Sequence, residues 1–159
     1  AGELTKKGVD AIAIKADVTN PDQVAMMVKK ILDKWGKLTI GVNNFFHCQA
    51  NPEQVFDGVK AVVTKLRTLY PNARILLNAV LPYEQSAASP KRAQIIELNR
   101  LIATLDDGKS IVFKDYGKKF LQANGDMSPT IMADYLHPTP KGYQVWSDAM
   151  LPDIKKLMK

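Results

Sequence analysis

RILLNAVL, residues 74–81, is the stretch on which the fold turns. It is an apolar run interrupted after its first residue only by Asn78, and the loop PYEQSAASP closes it at 82–90. A run this short, bounded by turn residues on both sides, reads as a buried strand. Upstream, Asn51-Pro52-Glu53 opens a helix whose apolar face is Val55, Val59, Val62, Val63, Leu66 and Leu69, and Pro71-Asn72 ends it. Downstream, a helix is expected over Lys91 to Leu105, then a strand over Ser110 to Phe113 (SIVF). A long loop follows, and Tyr143 to Met158 forms a closing helix, bent near Pro152.

The same alternation extends toward the start of the chain. Val9 to Ala16 (VDAIAIKA) reads as a strand. Asn20-Pro21-Asp22 starts a helix, with Asn20 as cap and proline in the first turn. That helix carries Val24, Met27, Val28, Ile31, Leu32 and Trp35 at helical spacing and stops at Gly36, before a strand over Leu38 to Val42 (LTIGV). Strand followed by helix, four times over, predicts an α/β fold: a three-layer α/β/α sandwich, flavodoxin-like, around a parallel sheet of about four strands. The strands are expected to follow chain order, the first beside the second. Ligands of such sheets bind at the carboxyl ends of the strands. The residues to watch are therefore Asp17, Val18 and Thr19; Asn43 and Asn44; Pro82 to Ser86; Asp115 to Gly117; and Asp134 to His137.

At 159 residues the chain is expected to be one domain, 1–159. Apolar residues make up 46% and charged residues 24%, the balance of an ordinary globular protein. The net charge is +6, but the lysines are dispersed and no basic run alternates with stacking aromatics, so no nucleic-acid partner is expected. The single cysteine, Cys48, excludes an intrachain disulfide and a cysteine-based zinc site; it fits a reducing compartment and leaves localisation open. No apolar run approaches the ~20 residues of a membrane span, so no membrane is expected. The opening AGELTKKG lacks a signal-peptide core and reads as the last turn of a helix.

About residues 45–159 resemble the SGNH, or GDSL-type, hydrolases, and most closely the branch similar to the catalytic subunits of platelet-activating-factor acetylhydrolase. The residues that carry the likeness are NPEQVFDGVKAVV (51–63), YPNARILLNAVLP (70–82) and NGDMSPTIMADYLHPTPKGYQVW (124–146). The resemblance implies an SGNH-like fold and ester hydrolysis. It implies that His137 is a general base, that Asp134 orients it, and that Asn43, in Gly41-Val42-Asn43, donates to the oxyanion. This is the logic of any hydrolytic triad: a base beside a hydroxyl, and fixed donors where negative charge develops.

Residues 1–44 resemble a fragment of the short-chain dehydrogenases, through ADVTNPDQV and WGKLTIGVNN. That likeness implies Asp17 as an adenine contact and Asn43 beside the cofactor. Phe45-Phe46 stands where the dehydrogenase pattern has Ala-Gly, and no tyrosine–lysine pair has the acid/base spacing. The helix start at Asn20-Pro21 has no glycine-rich turn to hold phosphates, so no cofactor is expected. On the hydrolase side the Gly-Asp-Ser block is absent; the best alignment puts Val18 at the nucleophile position, with Thr19 the nearest hydroxyl. Ser86 and Ser89 are the serines expected closest to His137. His47-Cys48 invites a Cys–His nucleophile, but adjacent side chains on an extended chain point apart, and no metal site is expected.

The chain thus reads as a chimera joined at Asn43-Asn44. The first expectation for its function is a non-catalytic α/β scaffold that keeps the Asp–His pair. The alternative is an SGNH-type carboxylic-ester hydrolase whose nucleophile is a surrogate or comes from another chain. An NAD(P)-binding dehydrogenase fragment is third. A short sheet with most helices on one face leaves an open edge, so a homodimer is expected, and exchange of the N-terminal strand and helix is one way to form it.

Overall fold

A computed structural model describes residues 51–158, together with residues 14, 26, 27, 29, 30, 33 and 34. The chain divides into two compact units, Ala1–Leu38 and Thr39–Lys159. In the first, Met26, Met27, Lys29, Lys30, Asp33 and Lys34 are helical, as the pattern after Asn20-Pro21 predicts. Lys29 Nζ meets Asp33 Oδ2 one turn on, at 2.6 Å. The expected strands at 9–16 and 38–42 lie outside the described residues, apart from Ile14, which is in no regular element.

In the second unit the described elements alternate as expected. Helix α1 spans Pro52–Leu69. Asn51 and Gln54 cap it reciprocally: Asn51 Oδ1 accepts from the Gln54 amide at 2.9 Å, and Gln54 Oε1 accepts from the Asn51 amide at 3.0 Å. Its buried stripe is Val55, Val59, Val63 and Leu66. Strand β1 is Ile75–Asn78, four residues all buried, and β2 is Ile111–Lys114. The two pair in parallel, with Ile75 opposite Ile111 and Asn78 opposite Lys114. Between them runs α2, Pro90–Ala103, capped by Ser89 and packed against α1. Its buried residues are Arg92, Ile95, Leu98 and Ile102.

β1 ends at Asn78, but its edge is prolonged by a side chain. Asn99 Oδ1 accepts from the Val80 amide at 2.8 Å, and Asn99 Nδ2 donates to the Val80 carbonyl at 2.9 Å. The side-chain amide of α2 thereby satisfies both backbone groups of a residue beyond the last sheet pair.

The loop after β2 is less plain than expected. It holds a 3-10 turn, Gly117–Phe120, and two isolated antiparallel bridges, Leu121 with Met127 and Met132 with Pro138. Phe120, Met127 and Met132 form a buried cluster on which Leu81, Leu121, Ile131, Tyr135 and Trp146 pack. The closing helix α3 spans Pro140–Leu157 and starts three residues before the expected Tyr143. Thr139 is its cap, its hydroxyl accepting from the Gly142 amide at 3.1 Å, and Pro140 takes the first position, where a missing N–H costs nothing. The helix runs on through Pro152. Arg74 donates to the Leu157 carbonyl at 3.1 Å and closes its far end.

Candidate active site

The Asp134–His137 turn emerges directly from the buried cluster. Met132 is fully buried, and its bridge to Pro138 brackets the turn from both sides. Below the bridge, the Thr139 amide donates to the Ile131 carbonyl at 2.8 Å. Gly142 lies against that same carbonyl; a Cβ there would sit 2.3 Å from Ile131 O. Only glycine lets the first turn of α3 approach the segment carrying the aspartate.

Inside the turn one carboxylate organises everything. Asp134 Oδ1 accepts from the backbone amides of His137 at 2.7 Å and Leu136 at 3.0 Å. Asp134 Oδ2 faces His137 Nδ1 at 2.7 Å. The hydrogen bond to the His137 ring holds the Asp134 carboxyl well below the usual carboxylate range, helped by the two amides. Tyr135, between them, adopts a left-handed backbone with φ 58°. An ionised carboxylate at Nδ1 keeps the ring proton on that side, so Nε2 carries the lone pair. Both side chains are open to solvent, His137 at 66% and Asp134 at 57%, so Nε2 is accessible to a reacting group.

The turn is anchored from outside at Tyr135. Its carbonyl accepts from the Glu84 amide at 2.9 Å, in the loop that follows β1. Glu84 is itself left-handed, with φ 68°. Arg92, a buried arginine on α2, donates to the carbonyls of Tyr83 and Glu84, the latter at 2.8 Å, and more distantly to that of Gly125 at 3.4 Å. Burial pulls the guanidinium below its ordinary value, while Asp126 and Glu84 act in the opposite direction. Glu84 also pairs with Lys91 at 2.8 Å.

The expected site residues divide sharply. His137 and Asp134 are brought together. Asn43 and Val18 lie outside the described residues, as do Asp17, Thr19, His47 and Cys48. Ser89 spends its hydroxyl capping α2, accepting from the Lys91 amide at 3.3 Å, and Ser86 Oγ accepts from the Ala88 amide at 3.2 Å. Among the described residues neither hydroxyl bonds to His137. Glu84 and Tyr135 fall within the strand-end segments 82–86 and 134–137 that the sequence marks out, whereas Arg92 does not. The available signal was phase: Arg92 stands in register with Ile95, Leu98 and Ile102 on the buried face of α2, where a charge must find partners.

A cavity of about 300 Å³ lies between α2 and the loops that follow β1 and β2, with Val80, Pro82, Ile95, Ile96 and Leu121 among its walls. No residue of the Asp134–His137 turn lines it. Among the described residues no group of three or more His, Cys, Asp or Glu side chains is placed to hold a metal, and no helix is long and apolar enough to cross a membrane.

A model described as the GDSL-like Lipase/Acylhydrolase family matches residues 13–145. The match includes residues 13–44, the segment likened above to the short-chain dehydrogenases. It supports the hydrolase resemblance and lends nothing to a dehydrogenase fragment or a chimera. Platelet-activating factor acetylhydrolase IB subunit alpha1 of Rattus norvegicus is 34% identical over 115 residues, covering 72% of this chain and 46% of that protein. The Homo sapiens subunit is 33% identical over the same length. The chain therefore spans about half the length of the curated relatives it matches. Among solved structures, a GDSL-like lipase from Bacteroides thetaiotaomicron aligns with a TM-score of 0.64 at 17% identity, over 84% of this chain and 70% of that one. A carbohydrate esterase family 3 protein from Talaromyces cellulolyticus aligns at 0.62 and 15%, over 86% and 64%. At such identities these two carry the fold, which is α/β.

Proposed function

The chain belongs to the GDSL-like lipase/acylhydrolase family, and from that premise we propose that it carries the general-base half of a carboxylic-ester hydrolase site. His137 takes the proton of an attacking hydroxyl at Nε2 and returns it to the leaving alcohol. Asp134 holds the ring by Nδ1 and stabilises the imidazolium that forms between the two transfers. The observation that carries this reading is the 2.7 Å contact between His137 Nδ1 and an aspartate already fixed by two backbone amides. Asn43 is the proposed oxyanion donor. The relatives' names speak of an acetyl ester, and a short acyl ester is accordingly the proposed substrate class.

The hydroxyl served by His137 is the open part of the mechanism, since Val18 stands where the best alignment puts the family's serine. That one residue favours a second reading, a scaffold that keeps the pair without a nucleophile. Turnover of p-nitrophenyl acetate by the chain and by His137→Ala separates the two. The hydrolase reading expects the substitution to lower turnover by about 10²–10⁴-fold, the usual contribution of a general base. It also expects a fluorophosphonate probe to label one hydroxyl, and the labelling to vanish in the variant. Equal rates in both proteins, without labelling, would establish the scaffold.

We also propose that the chain assembles as a homodimer. Gly142 is the only buried residue described in α3, while Tyr143 is 57% exposed and Leu151 44%. Light scattering at several concentrations is the check; a constant mass near 17.6 kDa would refute it.

A further inference from the structure

The Asp134–His137 turn contains a conformation that its own residues do not favour. A left-handed backbone is uncommon for a residue with a side chain, and for tyrosine it costs on the order of 1 kcal/mol or more. The turn needs it nonetheless: with Tyr135 at φ 58°, the amides of Leu136 and His137 both point back at Asp134 Oδ1. The partner that meets Tyr135 from outside is Glu84, also left-handed, whose amide donates to the Tyr135 carbonyl at 2.9 Å. Two unfavourable residues, 51 positions apart in the chain, are thus joined by one hydrogen bond.

What holds Glu84 in place is Arg92. The guanidinium donates to the carbonyls on both sides of the Tyr83–Glu84 junction and is 7% exposed. A planar fork of fixed donors clamps two successive carbonyls in a way a lysine cannot. The clamp is rooted in α2, whose neighbouring residues Ile95 and Leu98 are 3% and 0% exposed, so it rests on a rigid element. The other end of the same loop is tied down separately. The Met127 amide donates to the Gln85 carbonyl at 2.8 Å, and Asp126 Oδ1 accepts from the Ala87 amide at 2.9 Å.

We propose that Arg92 is a positioning residue for the Asp134–His137 pair, acting through the Glu84–Tyr135 hydrogen bond. Arg92 fixes Glu84 in its left-handed form. Glu84 then supplies the donor that offsets the cost of the left-handed Tyr135. Without that donor Tyr135 relaxes to a negative φ, the two amides swing away from Asp134, and the carboxylate loses its grip on Nδ1. The inference rests on the hydrolase reading for its consequence in catalysis, but not for its structural content.

The test is the tautomer of the His137 ring, read from long-range ¹H–¹⁵N spectra of the whole chain under conditions where the ring is neutral. The chain has two histidines, so the signals are few. In the unaltered protein His137 is expected mainly as the Nδ1–H form. In Arg92→Leu the ratio of Nδ1–H to Nε2–H should fall about fivefold, the effect of losing one ordinary hydrogen bond. Arg92→Lys keeps the charge and one donor and should give a smaller fall; it serves where Arg92→Leu does not fold. Val63→Ala, in the α1 core, should lower the melting temperature and leave the ratio unchanged, which separates positioning from general loosening.

Where the chain hydrolyses an ester, the arginine variants should lose kcat by about tenfold with KM nearly unchanged. A tautomer ratio that stays put in both arginine variants overturns the proposal, as does an equal change in Val63→Ala. Because the ring spectra need no turnover, an inactive chain would sink the hydrolase reading and leave this one to be judged separately.

Discussion

Helix α1 and the turn after Met132 are both stabilised well, by opposite means. α1 buries a repeated stripe, Val55, Val59, Val63 and Leu66, on α2, and its end is capped by two neighbouring residues. Each side chain there duplicates the work of the next. In the turn Tyr135 packs on the buried cluster, but the Asp134–His137 pair itself is exposed and depends on one carboxylate that takes three hydrogen bonds and on one left-handed residue held from a distance. Non-directional burial tolerates change by degrees, whereas a few directional bonds fail one at a time. The difference suits their tasks. In the proposed role the pair must be open to substrate, so it cannot be held by being covered.

That contrast can be tested at three points, from the largest effect to the smallest. In the packed region, Leu98→Ala on α2 removes a side chain with 0% exposure and should cost about 2–5 kcal/mol in urea unfolding. A loss below about 1 kcal/mol would mean that the α1–α2 core is looser than its burial indicates. At the border between the two regions, Gly142→Ala puts a methyl 2.3 Å from the Ile131 carbonyl. Alanine improves helix propensity, yet the clash should prevail, at about 1–3 kcal/mol destabilising. A stabilised variant would show that α3 can slide away from the turn freely.

The smallest effect belongs to the turn alone. The Asp134 carboxyl titrates below its ordinary range in the folded protein, chiefly through the His137 ring. Its ionised form therefore contributes stability above the ordinary carboxylate pKa of about 3.9, and that contribution is lost as pH falls below it toward the lower folded value. The melting temperatures of the chain and of Asp134→Asn should differ at neutral pH and converge below about pH 4. A constant difference down to pH 2 would mean that the charge of Asp134 is not what holds the turn.

The same contrast explains what could be read from the sequence. α1 was legible to within a residue because its signals are local: a cap, a proline and a periodic stripe. The strand in RILLNAVL is legible as a buried run; Ile75–Asn78 pair with β2, the Ala79 amide still donates to the Lys114 carbonyl, and Val80 bonds to Asn99 instead. The contact between Asp134 and His137 is legible because they stand three positions apart and a family pattern surrounds them. The expected start of α3, Tyr143, lies three residues late, because the cap is formed by Thr139 and followed by Pro140. Glu84 is legible only as part of the strand-end loop 82–86, and Arg92 not at all. Nothing local to either marks a hydrogen bond that reaches Tyr135, and an arginine among apolar residues does not announce which carbonyls it will find. Strand order beside residues 9–16 and 38–42, and the roles of Asn43 and Val18, lie outside the described residues.

The two bonds between Asn99 and Val80 have a kinetic corollary. Val80 lies past the last β1–β2 pair, yet its amide proton is held by a side chain of α2 rather than by a neighbouring strand. That proton exchanges with solvent when the Asn99 side chain lets go, as it must whenever α2 lifts from the end of the sheet. Its exchange rate therefore sets an upper limit on how often the helix that carries Arg92 opens, and it can be read even in a protein that turns over nothing.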